Sequence, residues 1–297
     1  MATIGFVGLG HMGLPMAINL VKAGHSVIGF DLQQSAKERF ANAGGAIANN
    51  LQEVAAQEIV ITMLQTGQQV LDVCLGEKGI FNHCKSGSLY IDCSTIDVKS
   101  SRELHQAAEE HHLLVIDAPV SGGVAGAAAG TLTFMVGGEE NAFNQAQPIL
   151  SRMGQKMIHT GAAGSGQAAK ICNNMILGIS MVAISEAFTL GKELGLSPNK
   201  LFEVVSNSSG QCWAMTKYAP VAGILENVPA NNDYKPGFAA AMMLKDLKLS
   251  QSTAQSVEVD TSLGAKTTAL YQQFIDQGFG DLDFSAIIKL IAMNHEI

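Results

Sequence analysis

The chain has 297 residues, of which 47% are hydrophobic and 15% are charged, and its formal net charge is −8 at pH 7. This length exceeds the size at which one hydrophobic core usually keeps growing, so two domains are expected. The negative charge, with no cluster of Lys and Arg, argues against a nucleic-acid partner. The five cysteines lack CxxC spacing, so the sequence favours neither a disulfide framework nor a zinc site, and we expect no metal.

Short β-branched or apolar runs alternate with helix-like segments through the first half of the chain. The predicted strands lie at residues 3–7, 26–30, 59–64, 89–92, 113–117 and 133–136. This alternation is typical of a doubly wound, mostly parallel sheet. The predicted fold class is therefore α/β, with an N-terminal Rossmann-type domain over residues 1–162.

A glycine-rich turn follows the first predicted strand and opens a helix. The motif G-x-G-x-x-G and the residues inside it are Gly8, Gly10, His11, Met12 and Gly13. Such glycines permit a tight turn and bring backbone close to a pyrophosphate at a helix N-terminus. Asp31 ends the second predicted strand, where a carboxylate would bind the adenosine ribose and repel a 2′-phosphate. The predicted cofactor is therefore NAD, in preference to NADP.

Two later strand ends are expected at the same crevice, because ligands bind beyond the carboxyl ends of parallel strands. Met63 and Leu64 follow one strand, and Ser94 and Thr95 follow the next. We expect all four to contact the cofactor. Taken singly, each of them could equally be an ordinary loop residue.

Two further segments offer groups for a substrate. In DAPVSGG, Ser121 with Gly122 and Gly123 could bind a carboxylate through its hydroxyl and through backbone N–H groups. Lys170 and Asn174 lie four residues apart in a predicted helix and so share one face. Partial desolvation is expected to lower the pKa of such a lysine and suit it to proton exchange. From spacing alone, a lysine that only extends its amine to solvent is an equal alternative.

After about Gly161 the strand-like runs give way to helical patterns, so residues 163–297 are predicted to form an all-α domain. Residues 164–194 contain no proline and predict one helix about 45 Å long, closed by Gly195 and followed by a new helix at Ser197 and Pro198. The most apolar part of this segment is shorter than a bilayer requires, so no membrane is expected. The first strand begins near Thr3, and we expect no leader peptide and a bacterial, cytoplasmic location.

Four segments, in this order, resemble the β-hydroxyacid dehydrogenase family: GLGHMGLPMA, DAPVSGG, GxGxxxKxxxN over residues 164–174, and KDLKLS beginning at Lys245. The resemblance covers essentially the whole chain. It implies NAD-dependent, reversible oxidation of a small β-hydroxy acid by a homodimer or homotetramer. The stretch around Trp213 and Phe238 is most similar to members acting on 3-hydroxyisobutyrate, which implies methylmalonate semialdehyde as the product.

The resemblance also implies roles for single residues. Lys170 corresponds to the catalytic lysine of the family and Lys245 to its cofactor-side lysine. The implied substrate-binding residues are Ser121, Gly122, Gly123, Asn174, Trp213 and Phe238. Two alternatives stay open: a sister enzyme acting on L-serine, glycerate or tartronate semialdehyde, and a dinucleotide-binding scaffold without catalysis.

Overall fold

Two units make up the computed structural model of the chain, which describes residues 1–293. The first unit is Met1–Lys170 and the second begins at Ile171, so the division falls inside one long helix. The sequence predicts a boundary after residue 162, between an NAD-binding domain and a helical domain. That functional boundary stays a prediction.

The first unit is built on a nine-stranded, mostly parallel sheet. Its strands are β1 Thr3–Val7, β2 Ser26–Phe30, β3 Ala46–Ile47, β4 Ile59–Thr62, β5 Leu89–Asp92, β6 Leu114–Asp117, β7 Val120–Ser121, β8 Leu132–Gly138 and β9 Gly154–Gly161. They are ordered β3-β2-β1-β4-β5-β6-β8-β7, with β9 also paired to β8. Strand β8 runs antiparallel to β6 and β7, whereas the other pairs are parallel. The predicted α/β class is confirmed.

Predicted and observed strands agree in the buried centre of the sheet and differ at its margins. The strands predicted at 3–7, 26–30 and 89–92 have those bounds, whereas the run predicted at 59–64 ends two residues earlier, at Thr62. Strands β3 and β7 have two residues each, and four of the eight residues of β9 are exposed. Because none of these three carries a continuous apolar run, the sequence did not indicate them.

Helices cover both faces of the sheet. In the first unit they are α1 Gly13–Lys22, α2 Gln34–Asn42, α3 Leu51–Ala55, α4 Gly67–Leu75, α5 Val98–Glu110, α6 Gly123–Ala129 and α7 Glu140–Leu150, with a 3-10 turn at Ile80–Asn82. Alternate residues of β5 point to opposite faces, so that Leu89 and Ile91 join one buried cluster and Tyr90 joins the other. This two-sided burial fixes the strand register, and with it the positions of the residues at the strand ends.

Helix α8, Ser165–Glu193, confirms the long helix predicted at 164–194. Gly195 follows it with a φ of +77°, and the Ser197 side chain accepts a hydrogen bond from the N–H of Lys200 at the start of the next helix. By length and composition alone α8 could cross a membrane, and 44% of its apolar window is buried. The core helix of a soluble protein passes the same test, and α8 buries the polar side chains of Gln167 and Asn174.

The second unit is helical in the described residues, as predicted. Its further helices are α9 Pro198–Ser206, α10 Trp213–Tyr218, α11 Ala240–Ser256, α12 Ser262–Phe274 and α13 Ile287–Met293, with 3-10 turns at Pro229–Asn232 and Phe284–Ala286 and a π-helical turn at Ile275–Phe279. Apolar side chains of α8, α11, α12 and α13 meet in one buried cluster, which includes Met181, Met243, Tyr271 and Leu290.

Candidate functional site

The turn after β1 has the geometry of a phosphate cradle. Gly8 has a φ of +96°, and a Cβ placed there would lie 2.3 Å from the carbonyl oxygen of Met63. A Cβ on Gly13 would lie 1.9 Å from the carbonyl oxygen of Gly8, whereas one on Gly10 would meet no atom within 4 Å. Gly8 and Gly13 are therefore required by packing, whereas Gly10 leaves open space above the turn. Helix α1 starts there without a side-chain cap or an acidic residue, which suits an anion.

Asp31 ties the end of β2 to this turn. Its Oδ2 accepts a hydrogen bond from the N–H of Leu9 at 2.7 Å, and its Oδ1 accepts one from the N–H of Gln33 at 2.7 Å. Carboxylate oxygens can accept more than one hydrogen bond, so Asp31 keeps capacity for ribose hydroxyls. Leu32 beside it is 87% exposed. The turn and this carboxylate together fit the adenosine and pyrophosphate parts of NAD.

The predicted cofactor residues at the next two strand ends are linked to each other. The N–H of Leu64 donates to Ser94 Oγ at 2.9 Å, and the N–H of Met63 donates to the Val7 carbonyl of β1 at 2.9 Å. Ser94 is fully buried and Thr95 is half-buried. The fold therefore brings Met63, Leu64 and Ser94 to the edge of the sheet that carries the glycine turn.

A buried carboxylate lies directly behind this edge. Asp92, 2% exposed, accepts hydrogen bonds at Oδ1 from Thr62 Oγ1 at 2.8 Å and from the N–H of Ser94 at 3.1 Å. Its Oδ2 has no hydrogen-bond partner among the described residues. Burial raises the pKa of Asp92 to about 6, although the hydrogen bonds from Ser94 and Thr62 oppose the rise. No motif in the sequence marks Asp92, which is the last residue of a short predicted strand.

Lys170 lies in the second turn of α8 and is 7% exposed. Asp117, the last residue of β6, holds the start of this helix: its Oδ1 accepts from the N–H of Gly164 at 2.8 Å and its Oδ2 from the N–H of Gln167 at 2.9 Å. These N–H groups have no partner inside the helix, and a carboxylate also interacts favourably with the positive end of the helix dipole. Asp117 therefore caps the helix that carries Lys170 from a distant part of the chain.

The DAPVSGG segment forms a bend beside β8. Ser121 ends β7 and pairs with Thr133, and it is half-buried. Gly122 and Gly123 follow with φ values of +137° and +64°, which L side chains rarely adopt. The bend therefore presents the Ser121 hydroxyl next to backbone that only glycine allows.

In the second unit, the other predicted polar residues meet at one carboxylate. Asn174 Nδ2 donates to Asp246 Oδ2 at 2.5 Å, and Asn173 Nδ2 donates to Asn174 Oδ1 at 3.0 Å. Lys245 Nζ lies 3.5 Å from Asp246 Oδ1, a loose ion pair too long for a strong hydrogen bond. Asp246 is only 3% exposed. The pair of Lys245 and Asp246 is therefore not a solvated surface pair. No motif in the sequence marks Asp246 as a member of this cluster.

The predicted pocket-shaping residues stand around a second buried carboxylate. Asp283 accepts at Oδ2 from Tyr218 Oη at 3.0 Å and from the N–H groups of Gly237 and Phe238 at 3.0 and 3.1 Å. Burial and the Asp283 carboxylate raise the pKa of the Tyr218 phenol. Trp213 stacks on Tyr218 with 5.2 Å between ring centroids, yet is 53% exposed. No sequence motif marks Asp283, which lies between Leu282 and Phe284.

Among residues 1–293, no group of three or more His, Cys, Asp or Glu side chains converges to hold a metal ion. All five cysteines, which the structure describes, are free thiols. The polar groups at the described sites are amide, hydroxyl, amine and carboxylate. They suit binding of a polar organic ligand and proton transfer to or from it.

Comparison with protein families divides the chain in two. Residues 3–161 match the family model described as the NAD binding domain of 6-phosphogluconate dehydrogenase. Residues 164–291 match the model described as the NAD-binding domain of NADP-dependent 3-hydroxyisobutyrate dehydrogenase.

Individual relatives match over nearly the full chain. The chain is 45% identical to the NAD-dependent L-serine dehydrogenase of Pseudomonas aeruginosa, over 98% of each chain. It is 43% identical to the mitochondrial 3-hydroxyisobutyrate dehydrogenase of Rattus norvegicus, over 97% of this chain and 86% of the relative. A solved structure of the Mycobacterium tuberculosis 3-hydroxyisobutyrate dehydrogenase with L-serine superposes with a TM-score of 0.94, at 46% identity, covering 98% of this chain and 99% of that one.

Proposed function

Because this chain belongs to the 3-hydroxyisobutyrate dehydrogenase family of NAD-binding dehydrogenases, we propose that it catalyses the reversible oxidation of 3-hydroxyisobutyrate to methylmalonate semialdehyde. The observation that carries the proposal is the placement of Lys170, a lysine that is 7% exposed in the second turn of a helix capped by Asp117. This placement keeps the amine away from bulk solvent on a fixed helix backbone, which suits a group that exchanges a proton with a bound substrate.

Lys170 is proposed as the general base in the oxidation direction. Its amine would accept the proton of the substrate hydroxyl and return it in the reverse reaction. NAD, when bound, supplies the hydride acceptor. Ser121 Oγ and the backbone N–H groups of Gly122 and Gly123 would bind the substrate carboxylate, because hydroxyl and N–H donors suit an anion.

Asn174 is proposed as the substrate-binding neighbour of Lys170, since the two lie four residues apart on α8. Asp246 accepts a hydrogen bond from one N–H of the Asn174 amide. The other N–H and one lone pair of the amide oxygen remain for a substrate. Lys245 is proposed to contact the cofactor. Trp213 and Phe238 are proposed to shape the substrate pocket, an assignment that rests on the family resemblance. Asp283 accepts hydrogen bonds from the Phe238 N–H and from the hydroxyl of Tyr218, on whose ring Trp213 stacks.

The cofactor contacts are proposed to come from the edge of the first sheet. We assign the glycine turn with His11 and Met12, the strand ends at Met63 and Leu64, and the Ser94–Thr95 segment to this role. Asp31 supports NAD over NADP, because a fixed carboxylate at the end of β2 would repel a 2′-phosphate. We further propose that residues 1–162 act as the NAD-binding domain and that the residues from 163 onward form the helical substrate and oligomerisation domain.

L-serine is the second candidate substrate. A Pseudomonas aeruginosa relative at 45% identity is an NAD-dependent L-serine dehydrogenase, and the similar Mycobacterium structure was solved with L-serine. Both substrates carry a carboxylate and a primary hydroxyl, and they differ by a methyl against an ammonium group. The groups proposed to bind the carboxylate and the hydroxyl serve either compound, so the choice depends on the pocket around Trp213 and Phe238.

The test is NADH formation from NAD with 3-hydroxyisobutyrate, L-serine, D-glycerate and tartronate semialdehyde (the last assayed as NADH consumption), with NADP as a control. Lys170→Ala should lower kcat by about 10²- to 10⁴-fold while NADH binding survives. Lys156→Ala is the matched control, because Lys156 is exposed on β9. Near-normal turnover by Lys170→Ala would exclude the proposed role, and a higher kcat/KM for L-serine would replace the substrate while keeping the mechanism.

The assembly and location of the enzyme are also proposed. We expect a homodimer or homotetramer in the bacterial cytoplasm, and the exposed apolar residues Ile176 and Leu190 of α8 are compatible with burial in a subunit contact. Light scattering on the purified protein measures the mass directly. A monomeric mass at micromolar concentration would contradict the expectation.

A further inference from the structure

Gln167 lies one turn before Lys170 in α8 and is fully buried. Its side-chain Nε2 donates to the Ser94 carbonyl at 2.7 Å, and its Oε1 accepts from the N–H of Ile96 at 3.1 Å. The two hydrogen bonds hold the backbone on both sides of Thr95. Because both are buried, they form a fixed connection between the helix and the segment after β5.

The backbone of the same residue is held from the neighbouring strand. Asp117 accepts from the N–H of Gln167 and from that of Gly164, and its Oδ1 also lies 2.9 Å from His105 Nε2. Gln167 is therefore bound through its backbone to the end of β6 and through its side chain to the segment after β5.

The start of α8 is also seated too closely to shift. A Cβ on Gly166 would lie 2.3 Å from the Met135 carbonyl oxygen and 2.7 Å from the Asp117 carbonyl oxygen. The helix backbone therefore contacts β6 and β8 directly. Residues three apart on a helix share a face, so any rotation of the helix that moved Gln167 would also move Lys170.

We propose that Gln167 is a positioning residue that fixes Lys170 relative to the Ser94–Thr95 segment of the cofactor edge. The inference rests on the proposed function, in which Lys170 exchanges the hydroxyl proton and Ser94 and Thr95 contact the cofactor. Proton loss and hydride loss occur on the same C–OH group of the substrate, so the amine and the cofactor need one fixed relative geometry. A displacement of 1 Å in such a geometry can cost about 100-fold in rate.

The test variant is Gln167→Met, which keeps the length of the side chain and removes both hydrogen bonds. Gln145→Met is the matched control, because Gln145 is exposed on α7. We expect kcat per NADH-binding site to fall about 10- to 100-fold in the test variant only, with a smaller change in the KM for substrate. The pH at which kcat rises to half its plateau should also move, because the surroundings of Lys170 change.

A second variant guards against misfolding of the first. Gln167→Glu keeps the acceptor for Ile96 and, once ionised, sets a carboxylate oxygen against the Ser94 carbonyl, so we expect its pH profile to move as well. NADH fluorescence titration counts the folded, binding-competent sites in every sample. Normal kcat per site with an unchanged pH profile in both variants would overturn the inference, even if the melting temperature falls, because a purely structural role predicts that result.

The two proposals fail in different ways. If Lys170→Ala keeps near-normal turnover, the assignment of the lysine is wrong, whatever the glutamine variants do. If Lys170→Ala is inactive and both glutamine variants match Gln145→Met, the proposed function stands and the positioning role of Gln167 is wrong.

Discussion

The stability of the first unit should depend on pH through Asp92. Burial raises the pKa of this carboxyl from an ordinary value of 3.8 to about 6 in the folded protein. Between these pH values the folded state keeps a proton that the unfolded state releases. The free energy of unfolding therefore falls as pH rises from about 4 to about 6, and this loss is complete above the folded pKa.

The size of the effect follows from the two pKa values. The gap between 3.8 and about 6, at about 1.36 kcal/mol for each pH unit, corresponds to about 3 kcal/mol. The geometry agrees with the direction, because Oδ1 already accepts two hydrogen bonds and Oδ2 lies buried without a described partner. An ionised Oδ2 there would be poorly solvated.

Asp92→Asn isolates this contribution, since the amide is neutral at every pH and its Oδ1 can still accept from Thr62 and Ser94. The difference in unfolding free energy, wild type minus variant, should fall by about 3 kcal/mol between pH 4 and pH 7. Asp72→Asn is the control, because Asp72 is exposed on α4, and its difference should stay flat. Other carboxyls that titrate in this range cancel in the comparison.

The assay must report on the first unit. The single tryptophan, Trp213, lies in the second unit, whereas Tyr90 is the only one of the four tyrosines in the first. Hydrogen exchange of peptides covering β4 and β5 therefore monitors the urea unfolding of the apo protein. NAD is omitted because a bound ligand adds stability. A flat difference, or one that rises with pH, would refute the reasoning and indicate that the fold favours the ionised Asp92.

Two further predictions concern the glycine turn and the buried carboxylate of Asp283. Gly10→Ala should keep the wild-type melting temperature and lose NAD affinity, since a Cβ there meets no protein atom. Gly13→Ala should unfold at a lower temperature, because its Cβ would lie 1.9 Å from the Gly8 carbonyl oxygen. Calorimetry with NADH titration checks both variants, and equal melting temperatures would contradict the packing argument. Tyr218→Phe removes one donor to the buried Asp283 and should destabilise the second unit by about 1.5 to 3 kcal/mol, measured by the fluorescence of the stacked Trp213 during urea unfolding. An unchanged urea midpoint would show that solvent replaces this hydrogen bond.

Local patterns determined a large part of this protein. The glycine turn, Asp31 and the central strands were predicted because a strand, a tight turn and a helix start are encoded within a few residues. The long helix α8 was predicted for the same reason, since its composition and its end at Gly195 are both local. The NAD-binding fold and the family therefore follow from the sequence.

Only the tertiary structure decided how the predicted groups are held. Gln167 reaches Asp117 and Ser94 across 50 and 73 residues of sequence, and Asn174 reaches Asp246 across 72. The residue types of these partners are ordinary, and no short motif contains them. Buried polar groups must find partners, but the partner is selected by which strand ends and helix starts the packed core brings together. The supports of the candidate site therefore depend on long-range packing, whereas its ligand-binding motifs are local.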